Sequence, residues 1–201
     1  IVESTFDEAR GRLGADAIFA SFLDLQNAFG SIPHTSLLRV LRHIGVGDMF
    51  CSFIHQIYSG STLQLHVREE ALPPFVTTAG VRQGDPLSPI LFDLVMELII
   101  RRVSGVLGAS FMLGEAHLSV CALADDLALF SNSELGLQAL VFAAHKAAST
   151  LGMQFRPDKC RIVARQGMNA TLATIWMRTR RSQNFRSRNP SPTLALRRVS
   201  A

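Results

Sequence analysis

The chain has 201 residues, 48% hydrophobic and 18% charged, which excludes a disordered or coiled-coil protein and gives enough length for one domain with a real core. The formal net charge of +4 is uneven: residues 168–201 hold seven arginines and no acid, so residues 1–167 carry 13 Lys/Arg against 16 Asp/Glu, a net of −3. The basic character therefore belongs to the tail, and the body gives no electrostatic reason by itself to bind nucleic acid.

Ser4 and Asp7 form a capping-box pattern that predicts a short helix to about Leu13, stopped at Gly14. Residues 17–25, AIFASFLDL, are apolar on both faces and predict a central strand ending at Asp24. NAFGSIPH reads as a loop, with Pro33 opening a helix along Leu37, Leu38, Leu41 and Ile44, and a second helix follows over 48–58. TLQLHVR, residues 62–68, alternates as a strand; Pro73 and Pro74 break it, and FVTTAGV is extended. After the turn-rich GVRQGDPLSP, Ser88 is expected to cap a helix with Pro89 in its first position. LSVCALADDLALFS predicts two strands joined by a tight turn at Asp125 and Asp126. Ser133 caps a long helix that Gly152 stops, followed by a short strand at 153–155, a turn at PDK and a strand CRIVA. The order predicts an α+β fold, an antiparallel sheet with helices packed on one face.

Cys51, Cys121 and Cys160 are odd in number and lack zinc-site spacing, which favours a reducing compartment. The stretch Ile90–Ile100 is too short and too charged to span a bilayer, and residues 1–12 lack an apolar signal core. An intracellular protein, nuclear or cytoplasmic and without membrane attachment, is expected. The absence of an initial Met suggests a part of something longer.

Three carboxylates stand where a core tolerates none unpaired. Asp24 ends an apolar strand, and Asp125 and Asp126 separate two more. A buried charge costs several kcal/mol, roughly, unless a cation or donor compensates it, and no Lys or Arg is adjacent in sequence to do so. If the strands are neighbours, the acids meet at one sheet edge. Clustered carboxylate oxygens suit a hard divalent cation such as Mg²⁺. Two such ions suit in-line displacement at phosphorus. Taken singly, each residue also has an ordinary reading: turn residues for the acids and for Lys159, core packing for Phe29, a solvated side chain for Arg82.

FLDLQNAFGSIPH, GVRQGDPLSPILFDLVME, LADDLALF and LGMQFRPDKC, in this order, resemble the successive motifs of reverse transcriptases of the non-LTR retrotransposon type, over about residues 4–165. The resemblance implies a right-hand polymerase palm with partial fingers over 1–167 and no complete thumb. It implies RNA-directed DNA synthesis: dNTPs added to a DNA primer on an RNA template, with two Mg²⁺ ions and Mn²⁺ as a substitute. Asp24 and Asp125 would bridge the metals, with the Leu25 carbonyl as a further ligand and Asp126 in support. Phe29 would be the steric gate against a 2′-hydroxyl, with Ala28 giving close approach. Gln83 and Gly84 would lie over the incoming nucleotide, and Arg82 could reach a phosphate. Lys159, one of two lysines in the chain, would protonate the pyrophosphate. Leu123 departs from the aromatic usual before the acidic pair. That departure, with the missing finger segments, motivates an alternative: a catalytically inactive palm-fold fragment that binds nucleic acid or a partner. Residues 168–201 are expected to be disordered, as an RNA-binding arm or an unselected extension.

Overall fold

β1 (Ile18–Leu23) is paired on both edges and packs each face into an apolar cluster, Phe19 and Leu23 on one side and Ile18 and Ala20 on the other, which is why its sequence is apolar on both faces. The computed structural model describes residues 17–68, 70–82, 84–113, 115–166, 169–177 and 194–196. The expected helix before Leu13 lies outside them.

The chain then forms α1 (Ala28–Ser31), α2 (His34–His43) and α3 (Asp48–Tyr58). Four short strands follow, β2 (Thr62–Leu63), β3 (His66–Val67), β4 (Glu70–Ala71) and β5 (Phe75–Val76). Next come α4 (Leu87–Ser104), β6 (Phe111–Leu113), β7 (Ala116–Leu118), β8 (Val120–Leu123) and β9 (Asp126–Ser131). The rest is α5 (Glu134–Thr150), β10 (Arg161–Gln166), β11 (Asn169–Met177) and β12 (Leu194–Leu196). The main sheet is antiparallel in the order β12-β11-β10-β1-β9-β8. This is the expected α+β layout.

Strand alternation gives the sheet two unlike faces. Phe19, Leu23, Leu127, Leu129 and Ile162 point to the side covered by α2–α5 and join the large core there, with Leu37, Leu41, Phe92, Ile99 and Leu140. Ile18, Ala20, Ala128 and Phe130 point to the other side, where the β6–β7 hairpin covers them with Phe111, Leu113 and Leu118. The hairpin covers only one end of that face. Toward Leu23 and Leu127 the face stays open.

Three expectations are corrected. TLQLHVR is not one strand: its ends pair separately, β2 with β5 and β3 with β4, and Arg68 turns with a positive φ of 59°. Helix α4 begins at Leu87, before Ser88 and Pro89, because the Asp85 carboxylate accepts the Leu87 N–H at 2.9 Å and Pro86 already has a helical φ of −58°. Ser88 is buried instead, with no hydrogen-bond partner for its hydroxyl. Residues 153–155 contribute one bridge, Leu25 to Phe155, rather than a strand. The cap at α5 is as expected, with Ser133 Oγ accepting the Gly136 N–H at 3.1 Å. Residue 167 does not end the sheet, since β11 pairs with β10 from Gln166↔Asn169 to Arg161↔Thr174. Most of the basic tail beyond it lies outside the described residues.

Candidate functional site

The register between β1 and β9 runs from Phe19↔Ser131 to Leu23↔Leu127. One step further, Asp24 stands opposite Asp126, and alternation puts both on the open face with Phe22 and Ala128. The β8–β9 hairpin adds Cys121 and Leu123, which pair with Ala128 and Asp126. These residues line a cavity of about 640 Å³, together with Leu23, Ala122, Leu127 and Lys159. Two acids separated by a hundred residues of chain thus meet at one rim.

The hairpin turn holds Ala124 and Asp125 between the paired residues Leu123 and Asp126. Ala124 has φ 52°, a left-handed conformation that costs a residue with a Cβ about 1–3 kcal/mol. Asp125 sits half-buried in this turn, and Asp126, not Asp125, lines the cavity. Leu123, in the position of the usual aromatic, is 81% exposed at the rim.

The segment 154–160 clamps Asp24 from the other side. Gln26 N–H donates to the Gln154 carbonyl and Arg156 N–H donates to the Asp24 carbonyl, both at 2.8 Å. Lys159 Nζ lies 3.9 Å from Asp24 Oδ1, and Arg156 Nε lies 3.9 Å from Asp24 Oδ2. The cations missing from the neighbouring sequence are therefore supplied by the fold. Arg156 was not among the expected residues. Its signal was its place in the same FRPDKC segment as Lys159, three residues earlier. Cys160 is buried beneath: burial pushes its thiol up from 9.0, the Asp24 and Asp158 carboxylates push the same way, and a backbone hydrogen bond from Asp24 and the Arg161 charge pull it back. Burial likewise raises the Cys121 thiol.

The other expected residues gather at a second junction, where α1 meets the loop before α4. Asn27 starts α1 in a left-handed conformation with φ 47°. Phe29 stacks on the buried Phe92 at 4.3 Å between ring centroids and 17° between planes, and its carbonyl accepts the Val81 N–H at 2.7 Å. Gly80, at φ 94°, crosses so close to Gly30 that a Cβ would lie 3.0 Å from the Gly30 Cα. His34 opens α2, and its Nε2 donates to the Gly80 carbonyl at 2.9 Å, which fixes the same crossing. Phe29 is half-buried and is not among the residues lining the cavity. Arg82 points away from it: its guanidinium donates to the Ile57 carbonyl at 2.8 Å and to Ser61 Oγ at 3.2 Å, and lies over the Tyr58 ring. There it satisfies the C-terminal end of α3, where a cation is favoured. Gly84 turns at φ 87° with open space where a Cβ would be. Gln83 lies outside the described residues.

The donor set at the cavity is carboxylate oxygen, which fits a hard divalent cation. Among the described residues no three His, Cys, Asp or Glu side chains form a ready-made metal group. Mg²⁺ does not ask for one, since it is commonly held by one or two carboxylates, waters and substrate phosphates.

The family described as reverse transcriptase (RNA-dependent DNA polymerase) matches residues 4–185. That range extends beyond the resemblance read from the motifs and takes in β11. Over 153 residues, 76% of its length, the chain is 36% identical to a retrovirus-related Pol polyprotein from a type-2 retrotransposable element of Drosophila melanogaster. Over 164 residues, 82% of its length, it is 31% identical to one from a type-1 retrotransposable element of Nasonia vitripennis. It spans 14% and 16% of the length of these two relatives. Its fold is similar to that of telomerase from Candida tropicalis, solved in complex with a fragment of telomeric RNA, with a TM-score of 0.64 and 13% identity over 84% of this chain and 29% of that one. The chain belongs to the reverse transcriptase family. Within that family it is a domain of the non-LTR retrotransposon type. No described helix is long and apolar enough to cross a membrane.

Proposed function

We propose that residues 1–167 are the palm, with partial fingers, of an RNA-directed DNA polymerase that extends a DNA primer on an RNA template. The observation that carries this reading is the joint lining of one open-face cavity by Asp24, Asp126 and Lys159. Asp24, Asp125 and Asp126, with the Leu25 carbonyl, would hold two Mg²⁺ ions, or Mn²⁺ in their place. When bound, such ions lower the barrier to attack by the primer 3′-hydroxyl and neutralise charge on the transferred phosphoryl group and on pyrophosphate.

The protein's own residues do the rest. Lys159, beside Asp24, would give a proton to the departing pyrophosphate. Phe29, whose ring orientation is fixed by its stack on Phe92, would be the steric gate against a 2′-hydroxyl. Gly84 leaves room beside α4 for the incoming nucleotide, over which Gln83 would also lie. Phe22 and Ala128 form the apolar floor beneath the acids. The enzyme works in the nucleus or cytoplasm, where its template lies.

Primer extension by the full-length protein that contains this chain tests the reading. Asp24→Asn and Asp126→Asn abolish extension, and Lys159→Ala lowers it about 10²-fold or more, the usual contribution of a placed general acid. Extension retained by Asp24→Asn contradicts it. Leu123 favours a second reading, a palm that binds without catalysis, because it offers no ring against which a primer terminus could pack. Template–primer binding by the unmodified protein without extension at any Mg²⁺ concentration would establish that reading instead.

A further inference from the structure

Asp24 is not a bare carboxylate. One oxygen faces Lys159 Nζ and the other faces Arg156 Nε, each at 3.9 Å. Both distances are beyond hydrogen-bond range, so the pairing is purely electrostatic and leaves the lone pairs of the oxygens open. The Arg156 guanidinium is also shared: its Nη2 lies 3.8 Å from Asp158 Oδ2. Asp158 is 72% exposed, so the arginine has a second, solvent-facing partner. The backbone of Arg156 is fixed by its own N–H bond to the Asp24 carbonyl, so the side chain can swing while its anchor stays in place.

We infer that Arg156 is a positioning residue that stands in for the divalent cation at Asp24. It holds the carboxylate at the cavity rim as a counter-ion, and it gives way toward Asp158 when a cation binds. The physical reason is competition. A fixed positive charge about 4 Å from a carboxylate raises the free energy of a second, divalent charge at the same oxygens. Arg156 therefore sets how much divalent cation the site needs. Lys159 adds to the same field, but it also lines the cavity, whereas Arg156 does not. The inference rests on the reading of Asp24 as a cation ligand.

The test is Mn²⁺ binding by the full-length protein, followed by the electron paramagnetic resonance signal of free Mn²⁺ without template, primer or dNTP. Asp24→Asn defines the sites that belong to this cavity. Arg156→Gln is expected to tighten that Asp24-dependent binding about two- to fivefold, the range a partly exposed ion pair commands. Arg156→Lys keeps the charge and stays near the unmodified value. Arg156→Met provides a second charge-free variant should the first not fold. Arg161→Gln removes a nearby charge that hydrogen-bonds the Asp158 and Cys160 carbonyls instead, and it shifts binding less. Unchanged or weaker binding in Arg156→Gln, with the Asp24-dependent sites intact, overturns the inference and leaves the proposed function standing. An equal shift in Arg161→Gln also overturns it, because a general field would then suffice. Absence of any Asp24-dependent Mn²⁺ binding in the unmodified protein removes the inference together with the assignment of Asp24 as a cation ligand.

Discussion

The two faces of the central sheet use the same strands for different ends. On the helix side, Leu23, Leu127, Leu129 and Ile162 are sealed into the main core. On the other side, residues one step away in sequence leave a cavity with two acids on its rim. The period of two in a strand makes this division possible. Stability and chemistry are written into alternate residues of β1 and β9. A substitution on one face can therefore spare the property that belongs to the other.

Two measurements sharpen the contrast. Leu129→Ala, on the helix face, removes a fully buried side chain and is expected to lower unfolding stability by about 2–5 kcal/mol in urea titrations. Asp126→Asn, three residues away on the open face, changes stability by less than about 1 kcal/mol, since its side chain is exposed. Equal losses in the two variants would break the division. A smaller effect comes from pH. Cys160 is neutral in the fold, and its folded value lies above the ordinary 9.0. Its contribution is complete below pH 9 and is lost as pH rises through the folded value. The slope is at most about 1.4 kcal/mol per pH unit for one proton. The urea midpoint is expected to fall more steeply above pH 9 in the unmodified protein than in Cys160→Ala; parallel slopes would contradict this.

Much of the architecture is legible in the sequence because it depends on local signals. The apolar run of β1, the acidic turn between β8 and β9 and the Ser133 cap of α5 each follow from a few adjacent residues. So does the α+β arrangement that their order implies. What is less legible depends on contacts between distant segments. Asp85 outcompetes Ser88 as the start of α4 because its carboxylate reaches the Leu87 N–H, and Ser88 faces the core. Arg82 reaches the end of α3, 25 residues back. Phe29 finds Phe92 only once α4 has packed, and Arg156 meets Asp24 across 132 positions. The breaks in TLQLHVR come from two separate pairings that alternation alone does not reveal. At the site, the sequence points to Asp24, the acidic pair and Lys159. Which acid of the pair faces Asp24 depends on the register, and the register puts Asp126 there.

The central claim is that Asp24 and the acidic pair form one shared site for divalent cations. Iron-directed cleavage measures this most directly: Fe²⁺ replaces Mg²⁺ in the full-length protein, and ascorbate with peroxide generates hydroxyl radicals that cut the backbone beside the bound ion. The account predicts cuts near both residue 24 and residues 125–126, suppressed together by excess Mg²⁺ and lost together in Asp24→Asn. Cuts at only one of the two segments, or cuts at 125–126 that survive Asp24→Asn, would contradict it.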